Sequence, residues 1–546
     1  MRKVLMLFFL LAPILSNAQN WPWAKDIHST GNDYAKIKCV DSQGNSYVIG
    51  TFTAGTCIFE NDTISGTGIN NHFFAKYSSS GNLLWTRTIA SSIGTQNCNT
   101  GLVDVAYDSI SNSLLFAGAV CLPFTMGSTT IFSSSGHTES IIGRADLNGE
   151  IIWHQKIIGN GAVIPNKLAY DNAGDVYAIC TNISPLKIGN DSLPIGVFLI
   201  KYNSNGVQQY VKNISGKGKY FGSVALNNID MHIIKNNLYI SGNGSDSVSI
   251  NNLHFYLYNK GGRLISKFDL NGNVQWAKIA GSLKYGNICF TTALDTNQSI
   301  YSLFTISDTA TIGDTIVHKI GLEDIAIAKH DSSGNFVWFR QVDFSALANN
   351  LMFMTSDQQG DIYFTGSYGG IAHFGSNTIT TTNANDMYLA KYNPNGDCIG
   401  VDNFGTAEGV AIAIDNNNDP IVSGTFKNTV TIGNSSFTCN NTYDAFVAKH
   451  AAITGIPDPR RITNNQLFIH ANPNEGRCNI TVPDEFVHEK NLVLSIYSSS
   501  GKLIQQKKLE MHEGKIKLSL EAEAKGLYNA VLSNGLKSYS GKIVFE

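Results

Sequence analysis

Charge is scarce in this chain. Of its 546 residues only 15% are Asp, Glu, Lys or Arg, against about 25% in an average protein. The formal net charge of -3 hides little asymmetry, with about -7 over residues 19–456 and about +2 beyond. Neither part has the basic surface that nucleic-acid binding requires. After the first fifteen residues no apolar run approaches the roughly 20 residues of a membrane-spanning helix. The nine cysteines include no CxxC pair and keep no fixed place in the sequence pattern, which argues against a disulfide framework. Most suit the role of small buried hydrophobes, and Cys98 with Cys121 could oxidise outside the cytoplasm. The thirteen histidines form no HExxH or Cys/His cluster, so a zinc site is not expected. GxSxG, P-loop and Rossmann fingerprints are missing as well. No catalytic residue, metal ligand or cofactor is assigned.

The first residues do carry a pattern. Arg2 and Lys3 precede an apolar run from Val4 to Leu15, and Ser16-Asn17-Ala18 places small residues where a signal peptidase cuts. Residues 1–18 read as a signal peptide, with the mature chain starting at Gln19.

Repetition then sets the fold class. AKYSSSGNLLW at Ala75 returns as SKFDLNGNVQW at Ser266 and AKHDSSGNFVW at Ala328. Aligned on this motif, the basic position falls on Lys76, Arg144, Lys201, Lys267, Lys329, Lys391 and Lys449. The aromatic position runs Trp23, Trp85, Trp153, Tyr210, Trp276 and Trp338, then lapses to Gly400. Seven units of about 60 residues follow, a period in the range of propeller blades. Each unit holds an Asp/Gly turn followed by a strand, as in DSQGNSYVIGTF at Asp41 and DQQGDIYFTGS at Asp357. Each also holds a short apolar segment closing on a turn, as in LKIGND at Leu186, ATIGDT at Ala310, AHFGSN at Ala372 and VTIGNS at Val430. With the strands of the motif itself this makes four strand signals per unit. A lone sheet of four short strands would expose its apolar faces and both edges, whereas seven packed radially bury the faces and close the ring. The glycine suits a tight turn, and the Trp four residues on begins the next strand, where its ring can fill the wedge between blades.

The runs DAFVAKH at Asp444, DIAIAKH at Asp324 and DMYLAKY at Asp386, with the GN..W turn and the D..GN.Y..G strand, resemble the SBBP seven-bladed β-propeller repeat over roughly residues 21–450. The resemblance implies a propeller over residues 19–450. Units two to four are looser: NSLLFAGAV at Asn112 lacks the GN turn, and KNNLYISG at Lys235 replaces the Asp turn.

Two prolines and a polar run make Ala451 to Asn465 a linker. The remaining residues 466–546 alternate as short strands and suit a small β-sandwich. Taken in order, ANPNEG at Ala471, IYSSSGKLI at Ile496, KGLYNAVL at Lys525 and the terminal KIVFE resemble the type A sorting domain of the type IX secretion system. The resemblance implies that the machinery of this system and a sortase-like peptidase are partners, and that the protein is secreted or held on the outer cell surface. The landmarks of that family fall on Pro473, Gly501, Lys502, Gly526, Tyr528 and Lys542.

Several residue sets invite a functional reading. A sevenfold basic ring could grip an anionic glycan, but a lysine at one place in every blade more commonly lays its stem between sheets and pairs its head with a carbonyl or an acid; Asp324, Asp386 and Asp444 recur five residues before it. A second basic set at Trp+2, Lys25, Arg87, Lys212, Lys278 and Arg340, shares a strand face with the aromatic, which favours stacking. DLNGN at Asp269 and DNNND at Asp415 offer oxygen ligands without the Glu that closes a calcium loop, so turn chemistry is expected. Six Asp-Ser/Thr-aliphatic triplets, at Asp62, Asp108, Asp191, Asp246, Asp308 and Asp314, resemble sites that some Bacteroidetes O-glycosylate. The expectation is an all-β protein: a seven-bladed β-propeller followed by a small β-sandwich, secreted, and acting in binding or adhesion toward a glycan or surface ligand. An extracellular polysaccharide hydrolase or lyase and a purely structural surface protein are the alternatives.

Overall fold

The computed structural model describes residues 21–546 except 54, 93–99, 135–137, 159–162, 189–190, 216–225, 251–252, 284–288, 307, 347–352, 440–441, 452, 454–466, 471, 483–485, 487–491, 499–501, 510–514 and 535–537. The expected signal peptide, residues 1–18, and most of the expected linker, residues 451–465, therefore lie outside the described residues. The chain divides into two compact units, 1–454 and 455–546.

In the first unit, seven four-stranded antiparallel arrays follow one another along the chain. Their inner strands are Asp33–Val40, Gly101–Asp108, Val163–Tyr170, Leu226–Ile234, Cys289–Leu294, Phe353–Ser356 and Ala407–Ile414. Each inner strand packs against the next, and the last against the first. The result is a closed seven-bladed propeller. Its apolar residues are buried in clusters that bridge neighbouring blades: Tyr47 and Phe74 of the first blade pack with Phe116 and Ile141 of the second.

Closure uses both ends of the repeat region. The seventh blade takes Ala407–Ile414, Pro420–Phe426 and Asp444–Lys449 from the end of the array, and its outer strand, Trp23–Ile27, from the beginning. Trp23 pairs with Lys449 just as Trp85 pairs with Lys76 and Trp338 with Lys329. The displaced aromatic register in the sequence is this borrowed strand.

The apolar turn segments are not blade strands, which corrects the strand assignment made from sequence. They form two-stranded hairpins between the second and third strands of a blade, as at Leu186–Ile188 with Asp191–Leu193 and Thr429–Ile432 with Ser435–Thr438. Two of them, Thr309–Ile312 and Ile371–Phe374, hydrogen-bond to the outer strand of the preceding blade. The fourth blade strand is the inner one preceding each Asp turn. It escaped notice because bulges interrupt its alternation in six of the seven blades.

The recurring tryptophan packs on the glycine turn of the following blade. A Cβ on Gly81 would lie 2.5 Å from Trp23, one on Gly206 2.6 Å from Trp153 and one on Gly334 2.7 Å from Trp276. These glycines have φ near +80°, which L side chains rarely adopt. The indole N–H of Trp23 donates to the Ser79 carbonyl at 3.1 Å, that of Trp153 to Ser204 at 3.0 Å and that of Trp338 to Pro394 at 3.1 Å. Gly400 now has an explanation. The seventh blade has no such turn, because its outer strand comes from the other end of the array, and a Cβ on Gly400 would instead meet Ile453 at 2.7 Å.

The second unit contains a three-stranded sheet, Phe468–His470, Arg477–Thr481 and Lys515–Ser519. A four-stranded sheet runs in the order Leu503–Leu509, Leu492–Ser498, Gly526–Ser533 and Ser538–Phe545. They share a core that includes Ile480, Leu494, Leu518, Leu532 and Ile543.

Replacing Trp153 with Ala is expected to cost about 3–5 kcal/mol in denaturant unfolding of the propeller. Gly206→Ala is expected to be destabilising too, because the methyl meets the same ring at a backbone angle that resists it. Neutral behaviour of both variants would contradict this joint.

Candidate functional site

The sevenfold basic residues point into the protein, toward the Asp turns. Lys201 sits 2.9 Å from Asp175 and 3.5 Å from Asp171, Lys391 2.9 Å from Asp361, and Lys449 2.6 Å from Asp415 and 3.0 Å from Asp419. Lys76 lies 3.5 Å from Asp41 and donates to the Leu147 carbonyl at 3.2 Å. Arg144 bonds Asp108 and the Gly174 carbonyl, while Lys329 donates to the Pro394 carbonyl at 2.9 Å. Lys267 stands over Tyr239, 5.4 Å from the ring centroid. The same stacking recurs over Tyr47, Tyr177, Tyr301 and Tyr363, the tyrosines of the D..GN.Y strand. Thus the acid comes from the adjacent strand, and not from the Asp five residues earlier. Asp324 and Asp386 cap the loops entering their own strands, accepting from Ile320 and Gly321 and from Thr381 and Asn383 respectively.

The turn carboxylates are engaged in the manner that tight turns require. Asp41 accepts from the backbone N–H groups of Gln43 and Asn45 at 2.9 Å and from the Tyr47 hydroxyl at 3.1 Å. Asp269 and Asp415 accept equivalent backbone bonds, and no His/Cys/Asp/Glu group suited to a metal occurs among the described residues. In the Trp+2 set, Arg87, Lys212, Lys278 and Arg340 lie over their own aromatics. Their heads reach the next blade's turn, as in Lys212 to Asn273 at 2.7 Å and Arg340 to the Gly396 carbonyl at 2.9 Å. Lys25 pairs with Glu60. Of the Asp-Ser/Thr triplets, Asp62-Thr63, Asp191-Ser192 and Asp314-Thr315 open the second strands of three hairpins, with their hydroxyl residues exposed.

The sevenfold basic set and the five-membered Trp+2 set are therefore both engaged within and between blades, and different residues line the lumen. On the inner strand Asp33–Val40, residues 33, 35 and 37 are buried while Tyr34 and Lys36 are exposed. The Lys36 ammonium lies 5.7 Å from the ring of Phe353. Phe353 belongs to the sixth blade and Lys36 to the first, so the contact spans the lumen past the seventh. Lys38 contacts Asp104 of the second blade at 3.0 Å, and Lys167 of the third contacts the same oxygen at 3.5 Å. The other oxygen of Asp104 accepts the Leu168 N–H at 3.0 Å. Burial works against that carboxylate's charge, but Lys167 and Lys38 outweigh it and hold its pKa below the usual range. Asp230 binds Arg263 at 2.8 Å and the Thr292 N–H at 2.9 Å, tying the fourth blade to the fifth. Arg263 is fully buried.

None of these lumen residues repeats, so a search for sevenfold order passes over them. The usable signal was local: DYAKIKCV alternates Lys36 and Lys38 on one face of a strand. Beyond the other ends of the inner strands lies a cavity of about 350 Å³ lined by Ile233, Ser356, Asp357, Ile414 and Asp415, among others. Its carboxylates are the ones paired with Lys391 and Lys449.

A second acidic feature lies at the closure seam. Asp33 is buried and accepts from the Ser29 N–H at 2.6 Å and its hydroxyl at 2.7 Å. Burial, augmented by the nearby Asp444 charge, raises its pKa to about 7.

In the C-terminal unit the expected landmarks separate into two places. Asn472 and Asn474, flanking Pro473, clamp the last strand: the Asn472 amide donates to the Lys542 carbonyl at 2.6 Å, and its oxygen accepts from the Val544 N–H at 2.7 Å. Asn474 donates to the Val544 carbonyl from its backbone and its side chain. Gly526 opens a strand and Tyr528 is buried, its hydroxyl donating to the Ala524 carbonyl. Lys502 is exposed at the turn, where its N–H donates to the Ser498 hydroxyl. Gly501 lies outside the described residues. Cys121 is disulfide-bonded, while Cys98, its expected partner, is also outside them.

Lys391→Met, which strands Asp357 and Asp361, is expected to destabilise by about 3 kcal/mol or more. Lys267→Met, which loses the ring contact, is expected to cost about 1 kcal/mol or less; urea midpoints of the two variants check the order. The seam gives a pH dependence with a definite sign. A folded carboxyl of raised pKa retains a proton that the unfolded chain has released, so its stabilising contribution falls as pH rises from about 4 to about 7. The slope is at most about 1.4 kcal/mol per pH unit. Asp33→Asn is expected to flatten that part of the stability-against-pH curve.

Comparison with known proteins bears on both units. A curated relative, the uncharacterized WD repeat-containing protein L264 of Acanthamoeba polyphaga mimivirus, is 22% identical over 79% of this chain; the chain spans 38% of that protein's length. Among solved structures, the polysaccharide lyase Uly1 is 10% identical with a TM-score of 0.39, over 81% of this chain and 94% of its own. The β-propeller domain of the Trilobed protease from Pyrococcus furiosus is 9% identical with a TM-score of 0.37, over 78% and 100%. The phage phi92 endosialidase is 9% identical with a TM-score of 0.34, over 96% and 87%. Residues 469–546 match the family described as secretion system C-terminal sorting domain, which marks this end of the chain as an export signal.

Proposed function

We propose that this protein is a propeller of the SBBP repeat type that the type IX secretion system delivers to the cell surface or the medium, where the propeller serves as a binding or adhesive module. The sorting-domain match over residues 469–546 carries the reading. Residues 1–18 act as the signal peptide for the inner membrane, residues 19–450 form the exported propeller, 451–465 the linker, and 466–546 the signal that a sortase-like peptidase removes. Among the described residues no helix is long and apolar enough to cross a membrane.

The recurrent charges support a binding module over a catalyst. Six of the seven recurrent basic residues and the turn aspartates are occupied with one another or with the backbone, and Lys267 lies over Tyr239, so their role is to hold the blades. Conformational rigidity of this kind suits a scaffold that presents a fixed surface to a ligand.

Deleting residues 466–546 is expected to leave the propeller trapped in the periplasm, checked by fractionation and surface proteolysis. Undiminished surface display of the truncated chain would overturn the sorting role. Turnover of a labelled polysaccharide by the purified protein alone would overturn the binding role in favour of an enzyme.

A further inference from the structure

Within the lumen Lys36 is a cation with no carboxylate beside it among the described residues. Asp230 is matched by Arg263. Asp104 faces both Lys38 and Lys167, two ammonium groups on a single oxygen. Lys36 stands two residues before Lys38 on the same strand, and its described contact is the Phe353 ring. Asp104 is shared by Lys38 and Lys167, and the other carboxylate whose charge reaches Lys167, Asp230, is already bonded to Arg263. Although Lys36 is exposed to the lumen, partial desolvation by the surrounding walls, followed by the charges of Lys38 and Lys167, lowers its pKa, and no carboxylate offsets it. Such a group is stabilised when an anion takes a place beside it.

The approach to this group is aromatic. Tyr34 lies on the same face of the strand, about 7 Å along it. Its ring is exposed and sits 6.3 Å from that of Tyr443, with the planes tilted by 34°. Lys427 stands 4.2 Å from the Tyr443 centroid, and the Glu408 carboxylate of the seventh blade's inner strand is among the charges that act on it. Polarised sugar C–H bonds pack on the electron-rich faces of tyrosine rings, and a charged substituent on the same sugar would meet the ammonium groups.

We propose that the lumen binds an acidic saccharide, its ring resting on Tyr34 and Tyr443 and its oxyanion, a carboxylate or sulfate, reaching Lys36. This deepens the binding reading given above and rests on it. The occupant neutralises the unmatched charge, so its binding weakens with salt. Inorganic sulfate, lacking the ring, binds far less well.

The test uses the full mature chain with a galacturonate trimer, its neutral methyl ester and inorganic sulfate, following affinity by calorimetry and stability by thermal unfolding. The acid is expected to bind at least roughly tenfold more tightly than the ester, the increment of a charge-assisted hydrogen bond. A sulfated trisaccharide tests the other oxyanion and is expected to match the acid. Lys36→Met is expected to erase the preference without lowering the melting temperature of the free protein, because it removes a charge that has no described carboxylate partner. Tyr34→Ala is expected to weaken acid and ester alike. Equal binding of acid and ester, an undiminished preference in Lys36→Met, or sulfate matching the trimer would each overturn the inference while leaving the binding module standing. No binding of any saccharide would remove the binding reading too.

Discussion

Everything in the first unit depends on each blade finding its neighbour, and the contact that makes this possible is a large flat ring laid on a bare backbone turn. The turn favours glycine for its left-handed φ, and at Gly81, Gly206 and Gly334 a single methyl would also occupy the space of the indole. At Trp23, Trp153 and Trp338 the ring also donates its indole N–H to a carbonyl of the turn it covers. Lysine opposite the aromatic completes the arrangement by reaching toward the Asp turn of the preceding hairpin. Three residue types in one short motif therefore solve packing between blades, turn geometry and the satisfaction of buried charge at once.

This coupling explains which parts of the fold were legible in the sequence. The lysine, glycine and tryptophan positions repeat because every joint imposes the same geometry, and from them the unit count, the ring and the missing aromatic at Gly400 could be read. The apolar turn segments were legible as strands but not as separate hairpins, because a period-two pattern does not say which sheet a strand joins. The inner strands were the least legible. Their bulges break the alternation, and their inward faces answer to the lumen instead of to a repeated neighbour.

The candidate site was hidden for the same reason. Lys36, Lys38, Asp104, Lys167 and Asp230 meet only when blades far apart in sequence are wrapped around one axis. Repetition identifies what holds a propeller together, and departures from repetition identify what one particular propeller has been given to do. The looser second and fourth units show milder departures that the structure absorbs. Arg144 replaces lysine beside Asp108. Gln298, from the next blade, accepts from Tyr239 and Asn237 where no turn aspartate is present.

The borrowed outer strand of the seventh blade has a consequence for the order of assembly. Six blades can be completed as the chain emerges, but the last cannot be finished until Lys449 is available to meet Trp23. Trp23–Ile27 must wait, unpartnered, through the synthesis of more than four hundred later residues. A latch thrown last makes the whole ring a checkpoint: a chain truncated before Asp444 is left with an unfinished sheet at one end and an idle strand at the other, both open to proteolysis.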